Sequence, residues 1–197
     1  MTGTLEIRNT MILKRFVIIV IFLFSGESAM SGKISNIKII PKPSSIEIKS
    51  ELFIFDNNTL IISSDKTCKL SKDLQAMLKP ATGFTLNIVK TKPKKNYIFL
   101  LLDDSANLPQ EAYTLSSDAD KIIICASGES GLFYGIQTLR QLLPPEIFSS
   151  KQVDAEWSVP AVVIKDSPRF VWRGLHLDTS RHYMPVDFIV SVHRKVS

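Results

Sequence analysis

The residue types able to do chemistry gather in one short stretch. "WRGLHLDTSRHYMP" (residues 172–185) brings Asp178, Ser180, Arg181 and His182 together behind an apolar-rich run. On a strand, Asp178, Ser180 and His182 share one face. Those types in that order suggest a hydrolytic triad. Side chains two residues apart on a strand lie about 7 Å from each other, too far for a nucleophile to hydrogen-bond its base, so the triad is set aside. Arg181 falls on the opposite face with Leu175, Leu177 and Thr179. A guanidinium there needs hydrogen-bond acceptors wherever it is not solvated. Taken on the residues alone, two readings of Arg181 stand level: an ion pair with a nearby carboxylate, and a clamp on substrate hydroxyls or carboxylates.

The remaining candidates are weaker. Asp103 and Asp104 are adjacent, and adjacent strand residues face opposite ways, so they do not form a proton-sharing pair. Gly128, Gly131 and Gly135 lack the order of a phosphate-binding loop and are followed by no Lys-Ser/Thr pair. A helix start with close packing explains them better. His176, His182 and His193 show no zinc spacing with Cys68 and Cys125, so no metal and no cofactor is expected. Cys125 ends an apolar strand and is expected to be buried. Two cysteines make no disulfide framework, and the sequence leaves open whether they meet.

These residues must be positioned by a frame that is legible along the chain. "IIPKPSSIEIK" (39–49) opens it, with prolines forcing an extended entry and Ile46 and Ile48 alternating as on a strand. Strands are predicted at 52–55 and 59–63 around an Asp56-Asn57-Asn58 turn, and at 85–89 and 97–102, the last apolar enough to be central. A short helix is predicted over 71–79, with Ser71 as its cap. "AYTLSSD" and "KIIICAS" read as a hairpin around Ala119-Asp120. The clearest helix is 128–143, with Leu132, Phe133, Ile136, Leu139, Leu142 and Leu143 on one stripe and Pro144-Pro145 ending it. A further strand covers 159–166. Interspersed helices and hairpin-linked strands favour an α+β fold, a mixed β-sheet layered with helices, over a doubly wound one.

Composition supports that frame. Of 197 residues, 45% are hydrophobic and 22% charged, enough for a real core. The net charge of +5 is too diffuse to imply nucleic acid. The densest basic run, "KTKPKKN" (90–96), contains a proline between two apolar runs and reads as a solvated loop. Residues 1–29 read as a signal peptide: Lys14 and Arg15, then nine apolar residues from Phe16 to Phe24, then small and polar residues ending near Ala29, with Met11 as an alternative start. Nine helical residues span only about 14 Å, short of a bilayer, so a membrane span is not expected and an exported location is.

"PRFVWRGLHLDTSRHYMPVDFI" (168–189) resembles the start of the catalytic barrel of family-20 glycoside hydrolases, the β-N-acetylhexosaminidases. "IIPKP" and "GLFYGIQTLRQLLP" (131–144) resemble the two ends of that family's N-terminal domain, and "VPAVVIKDSPRF" (159–170) the connection between the domains. The resemblance covers residues 36 to 189. It implies an N-terminal layered domain at 36–166 without catalytic residues, then the first strand of a (β/α)8 TIM barrel at about Val171–Asp178. It also implies that Arg181, the arginine of the "SRH" motif, binds hydroxyls of a terminal N-acetylhexosamine. The reaction implied is substrate-assisted: the sugar's 2-acetamido oxygen attacks the anomeric carbon while an aspartate orients it and a glutamate protonates the leaving oxygen. Neither of those two is found in these residues.

"VSVHRKVS" (190–197) stands where the family's first barrel helix is expected and lacks sustained apolar periodicity. Residues 167–197 are therefore read as a truncated start of the barrel domain, and the chain alone is expected to be inactive. The implied partners are N-acetylhexosamine-containing glycans. The rivals are a non-catalytic exported module that binds glycans or a partner, and a gene remnant without function.

Overall fold

The computed structural model describes residues 37–174 and 176–196. The expected signal peptide at 1–29 lies outside them. Strand β1, Ser45–Ile54, takes in the "SIEIK" run and all of "LFIF" but Phe55. Strand β2 is Leu60–Ile62, helix α1 Cys68–Thr82, β3 Ile88–Val89 and β4 Tyr97–Leu102. A 3-10 turn at Asp104–Ala106 precedes β5, Tyr113–Ser117, and β6, Lys121–Ala126. Helix α2, Glu129–Leu142, leads through a second 3-10 turn at Pro145–Phe148 to β7, Ser158–Asp166, and helix α3 spans Val186–Val196.

Among the described residues, seven strands form one mixed sheet in the order β1-β7-β5-β6-β4-β2-β3. The predicted 112–127 hairpin forms, with Leu115 opposite Ile124. Parallel pairings join β4 to β6 and to β2, so the apolar 97–102 strand is flanked on both sides as expected. The Asp56–Thr59 turn forms too, closed by Thr59 N–H donating to the Asp56 carbonyl at 3.1 Å. Its two strands part, however. β1 pairs with β7 at one edge while β2 pairs with β3 and β4 at the other side of the sheet.

Burial alternates along β5 and β6, as it must when one face of a sheet is covered. Leu74 and Leu78 of α1 and Leu132, Ile136 and Leu139 of α2 share a core with Ile98, Leu100, Leu115, Ile122 and Ile124 of the sheet. Each such side chain contributes about 1.5–3 kcal/mol relative to exposure, so packing rather than propensity holds the helices. Phe133 departs from the predicted stripe and is 39% exposed. The glycines of α2 act through closeness, as predicted. A Cβ on Gly131 would meet the Ala112 carbonyl oxygen and come within 2.9 Å of the Ala126 Cβ, and one on Gly135 would meet the Ile124 Cγ2.

Helix α1 starts earlier than its sequence suggests. Ser71 is not its cap: its hydroxyl donates to the Thr67 carbonyl at 3.0 Å, one turn back. A serine bonded in this way is an interior helix residue. Thr67, fully buried, instead accepts from the Ser64 N–H at 2.9 Å and organises the loop before the helix. The helix ends at Gly83, where a φ of 73° turns the chain out of the helix. Two side chains tie the N-terminal approach to the layer. Gln141 on α2 accepts from the Ile40 N–H at 2.8 Å and donates to the Ile40 carbonyl at 3.0 Å. Asp166 accepts from the Ser44 N–H and hydroxyl, each at 3.0 Å.

Candidate functional site

Beyond Asp166 the chain runs to Pro185 without a strand among the described residues. The expected barrel strand at Val171–Asp178 is thus not seen among the described residues. A strand exists through its partners, and no described segment pairs with this one. Val171 is 99% and Trp172 86% exposed. Leu175 lies outside the described residues. The expectation for 190–197 also needs correction, because residues through Val196 continue helix α3. Val186, Ile189 and Val190 start an apolar face at helical spacing, with Asp187 in the first turn.

Asp178 organises the local geometry. Its Oδ1 accepts from the Ser180 N–H at 2.9 Å and from the Arg181 N–H at 3.4 Å. Its Oδ2 lies 3.3 Å from Arg181 Nε. An aspartate that bonds the backbone two residues on makes a tight turn. The turn replaces the strand face on which Asp178, Ser180 and His182 were to align, and Ser180 meets Asp178 through its backbone rather than its hydroxyl. Arg181 has a carboxylate partner, as one of the two readings expects. That partner approaches Nε rather than the terminal amino groups, and the side chain is 85% exposed. His182 and Tyr183 are exposed beside it.

A second cluster lies closer to the sheet. Arg173 forks onto Glu111: Nη2 donates to Oε1 at 2.6 Å and Nη1 to Oε2 at 3.2 Å. Nη2 also donates to the Tyr134 hydroxyl at 3.1 Å, and Nη1 to the Phe170 carbonyl at 2.6 Å. The guanidinium carbon stands 5.9 Å from the Tyr134 ring centroid. The Arg173 hydrogen bond holds the Glu111 carboxyl below the usual glutamate range, and the same bond, with that to Tyr134, pushes Arg173 up. Sequence reading missed this cluster because Glu111 and Arg173 stand 62 positions apart. The available signal was an arginine inside the apolar run "FVWRGL", which has to find acceptors.

The weaker candidates resolve structurally. Asp103 accepts from the Ser105 N–H at 2.9 Å and from its hydroxyl at 2.5 Å, while Asp104 turns to Lys66 at 3.7 Å, so the two carboxylates share nothing. Cys68 and Cys125 are free thiols, both half-buried, and burial pushes Cys125 up. Lys90, Lys92, Lys94 and Lys95 are exposed, with Lys90 on Asp65 at 2.7 Å. Among the described residues no group of three or more His, Cys, Asp or Glu side chains is arranged to hold a metal. Nor is any described helix long and apolar enough to cross a membrane.

Residues 36–167 match glycosyl hydrolase family 20, domain 2. The chain belongs to this family. The family-20 chain is 36% identical over 156 residues to a beta-hexosaminidase of Porphyromonas gingivalis, covering 78% of its own length and 20% of that protein. Its fold is similar to the family-20 beta-N-acetylhexosaminidase of Streptomyces coelicolor A3(2), with a TM-score of 0.70 and 33% identity over 80% of this chain and 32% of that one. A mutant Streptomyces plicatus beta-hexosaminidase, solved with its product GlcNAc, is similar to the same degree, with a TM-score of 0.70 and 32% identity. The family-20 chain thus spans a fifth of the Porphyromonas protein and about a third of each Streptomyces chain.

Proposed function

We propose that these residues are the layered N-terminal domain and the first barrel residues of an exported β-N-acetylhexosaminidase, which removes terminal non-reducing N-acetylhexosamine from glycans by substrate-assisted, retaining catalysis. The observation that carries the reading is the family-20 match over residues 36–167, continued by the Asp178–Arg181 turn. The layer's part is to hold, not to react. Its core is mainly hydrocarbon, and Asp56, Asp65, Asp103, Asp104, Glu111, Asp118 and Asp166 are engaged in turns, backbone contacts or ion pairs. Arg181 is the one group assigned to substrate, forking onto two sugar hydroxyls from the barrel mouth. Asp178 supports that role from the Nε side, because it orients the guanidinium while leaving the terminal amino groups to donate. The acetamido-orienting aspartate and the acid glutamate implied by the family are not among these 197 residues, so the chain by itself does not turn over substrate.

The test grafts residues 36–183 onto the complete barrel of a homologue and follows release of an aryl N-acetylglucosaminide. The graft is expected to be active. Charge-assisted hydrogen bonds contribute about 1.5–3 kcal/mol, so Arg181→Ala should lower kcat/KM roughly 10- to 100-fold. Indifference of an active graft to Arg181→Lys would replace the clamp with a structural ion pair to Asp178. The isolated chain should show background hydrolysis and no saturable binding of N-acetylglucosamine by calorimetry. Millimolar or tighter binding there would favour a non-catalytic glycan-binding module.

A further inference from the structure

Three elements with no shared sequence neighbourhood meet at one guanidinium. Glu111 stands in the turn before β5, Tyr134 on α2, and Arg173 in the segment that leaves β7 at Asp166. Isolated surface pairs contribute little, but a bidentate fork within a network is the recognised exception. This fork is bidentate. It is joined by the Tyr134 hydroxyl, and its other amino group closes onto the Phe170 carbonyl of its own segment. A planar five-donor group bonded on these sides fixes direction as well as distance. The apolar neighbours do not do this work, since Phe170, Val171 and Trp172 are all exposed.

Arg173 also sits between the end of β7 and the Arg181 turn, where the path toward Arg181 is set. We propose that Glu111, Tyr134 and Arg173 are positioning residues that latch the segment carrying Arg181 to the seven-stranded layer, and so set where the substrate-binding arginine is presented. The consequence for substrate rests on the function proposed above; the latch itself does not. Glu111 and Tyr134 act only through Arg173, and Arg173 acts through the backbone it holds.

The experiment uses the 197-residue chain and chymotrypsin. Phe170 and Trp172 lie in the latched stretch, and Tyr183 lies beyond it as an internal control. All three side chains are exposed, so cleavage reports on whether the backbone can open. In the wild type, Tyr183 should be cut first. Glu111→Ala should raise cutting at Phe170 and Trp172 relative to Tyr183 by about tenfold, with the melting temperature of the layer unchanged. Arg173→Lys keeps the charge without the fork and should fall between. The exchange of Glu111→Arg with Arg173→Glu should recover part of the protection. An unchanged cleavage ratio in Glu111→Ala would overturn the latch, as would a melting decrease that raises all three cuts alike. The readout needs neither sugar nor activity. A failed graft together with a positive cleavage result would therefore sink the proposed function and leave the latch standing.

Discussion

The buried Ser117 hydroxyl donates to the Pro160 carbonyl at 2.7 Å and accepts from the Val162 N–H at 2.9 Å. Proline cannot donate to a sheet and is normally confined to edges and bulges. β7 nonetheless carries Pro160 between two neighbouring strands. On the β1 side it faces Leu52, next to the irregularity between Ile48 and Leu52. On the β5 side the ladder stops at Ser116 and Val163, and the Ser117 side chain takes over. Ser117→Ala should leave a buried donor and acceptor unmet and cost about 1–3 kcal/mol, where an exposed serine would cost under about 0.5 kcal/mol. Urea denaturation of the two chains gives the difference. Tyr113 is a comparable buried link, its hydroxyl 2.6 Å from that of Thr138, with burial pushing its pKa up to about 12.

Helix α2 is held by how closely its backbone approaches the sheet. Replacing a helical glycine by alanine ordinarily stabilises by about 1 kcal/mol. At Gly131 the new methyl would press on the Ala112 carbonyl oxygen and the Ala126 Cβ, neither of which is the free end of a flexible side chain. Overpacking costs about 1–3 kcal/mol, so the clash outweighs the propensity. Gly131→Ala should lower the melting temperature measured by circular dichroism, and an unchanged or higher value would show that the helix can slide outward. The same approach explains why α2 carries Gly131 and Gly135 four residues apart, one helical turn, on its sheet-facing side. It also separates these glycines from phosphate binding, which would leave their surroundings open.

Among the described residues the molecule is a layered sheet followed by a segment that makes little use of it. Phe170, Val171, Trp172, Tyr183, Val186 and Phe188 are large apolar groups left exposed beyond β7. Among the described residues Arg173 ties these two parts through Glu111 and Tyr134, and the Glu111 charge makes the tie pH-dependent. Glu111 is depressed below its ordinary value of 4.5, chiefly by the Arg173 hydrogen bond. A depressed carboxyl contributes stability that is present above its unfolded pKa and lost as pH falls through the folded one. The tie should therefore hold at neutral pH and release only in acid below the usual glutamate range. Arg173 faces Glu111 from the segment after β7 and Tyr134 faces it from α2. Carbon-detected NMR titration should find Glu111 low in the wild type and back in the ordinary range in Arg173→Ala. No movement would mean that the fork does not persist in solution.

Local pattern determined much of this protein. The 97–102 strand, the hairpin around Ala119-Asp120, the long amphipathic helix with its Pro144-Pro145 stop, and the strand ending at Asp166 all carry their own periods and punctuation. The family was legible as well, because its motifs recur in order along the chain. Tertiary structure decided what depends on distant partners. β1 and β2 flank a readable turn, yet they lie on opposite sides of the sheet, since strand order is fixed by pairing and not by the turn between strands. "VWRGLHLD" has the composition of a strand, yet its described residues form none, because no described neighbour supplies their hydrogen bonds. Arg181 could be read from the sequence as either an ion pair or a clamp, and only the Asp178 turn showed which carboxylate it meets and at which nitrogen. Glu111 and Arg173 carried no mutual signal in sequence. An ion pair across 62 positions is a property of the folded sheet, which brings together the turn before β5 and the exit of β7 because those two strands are neighbours.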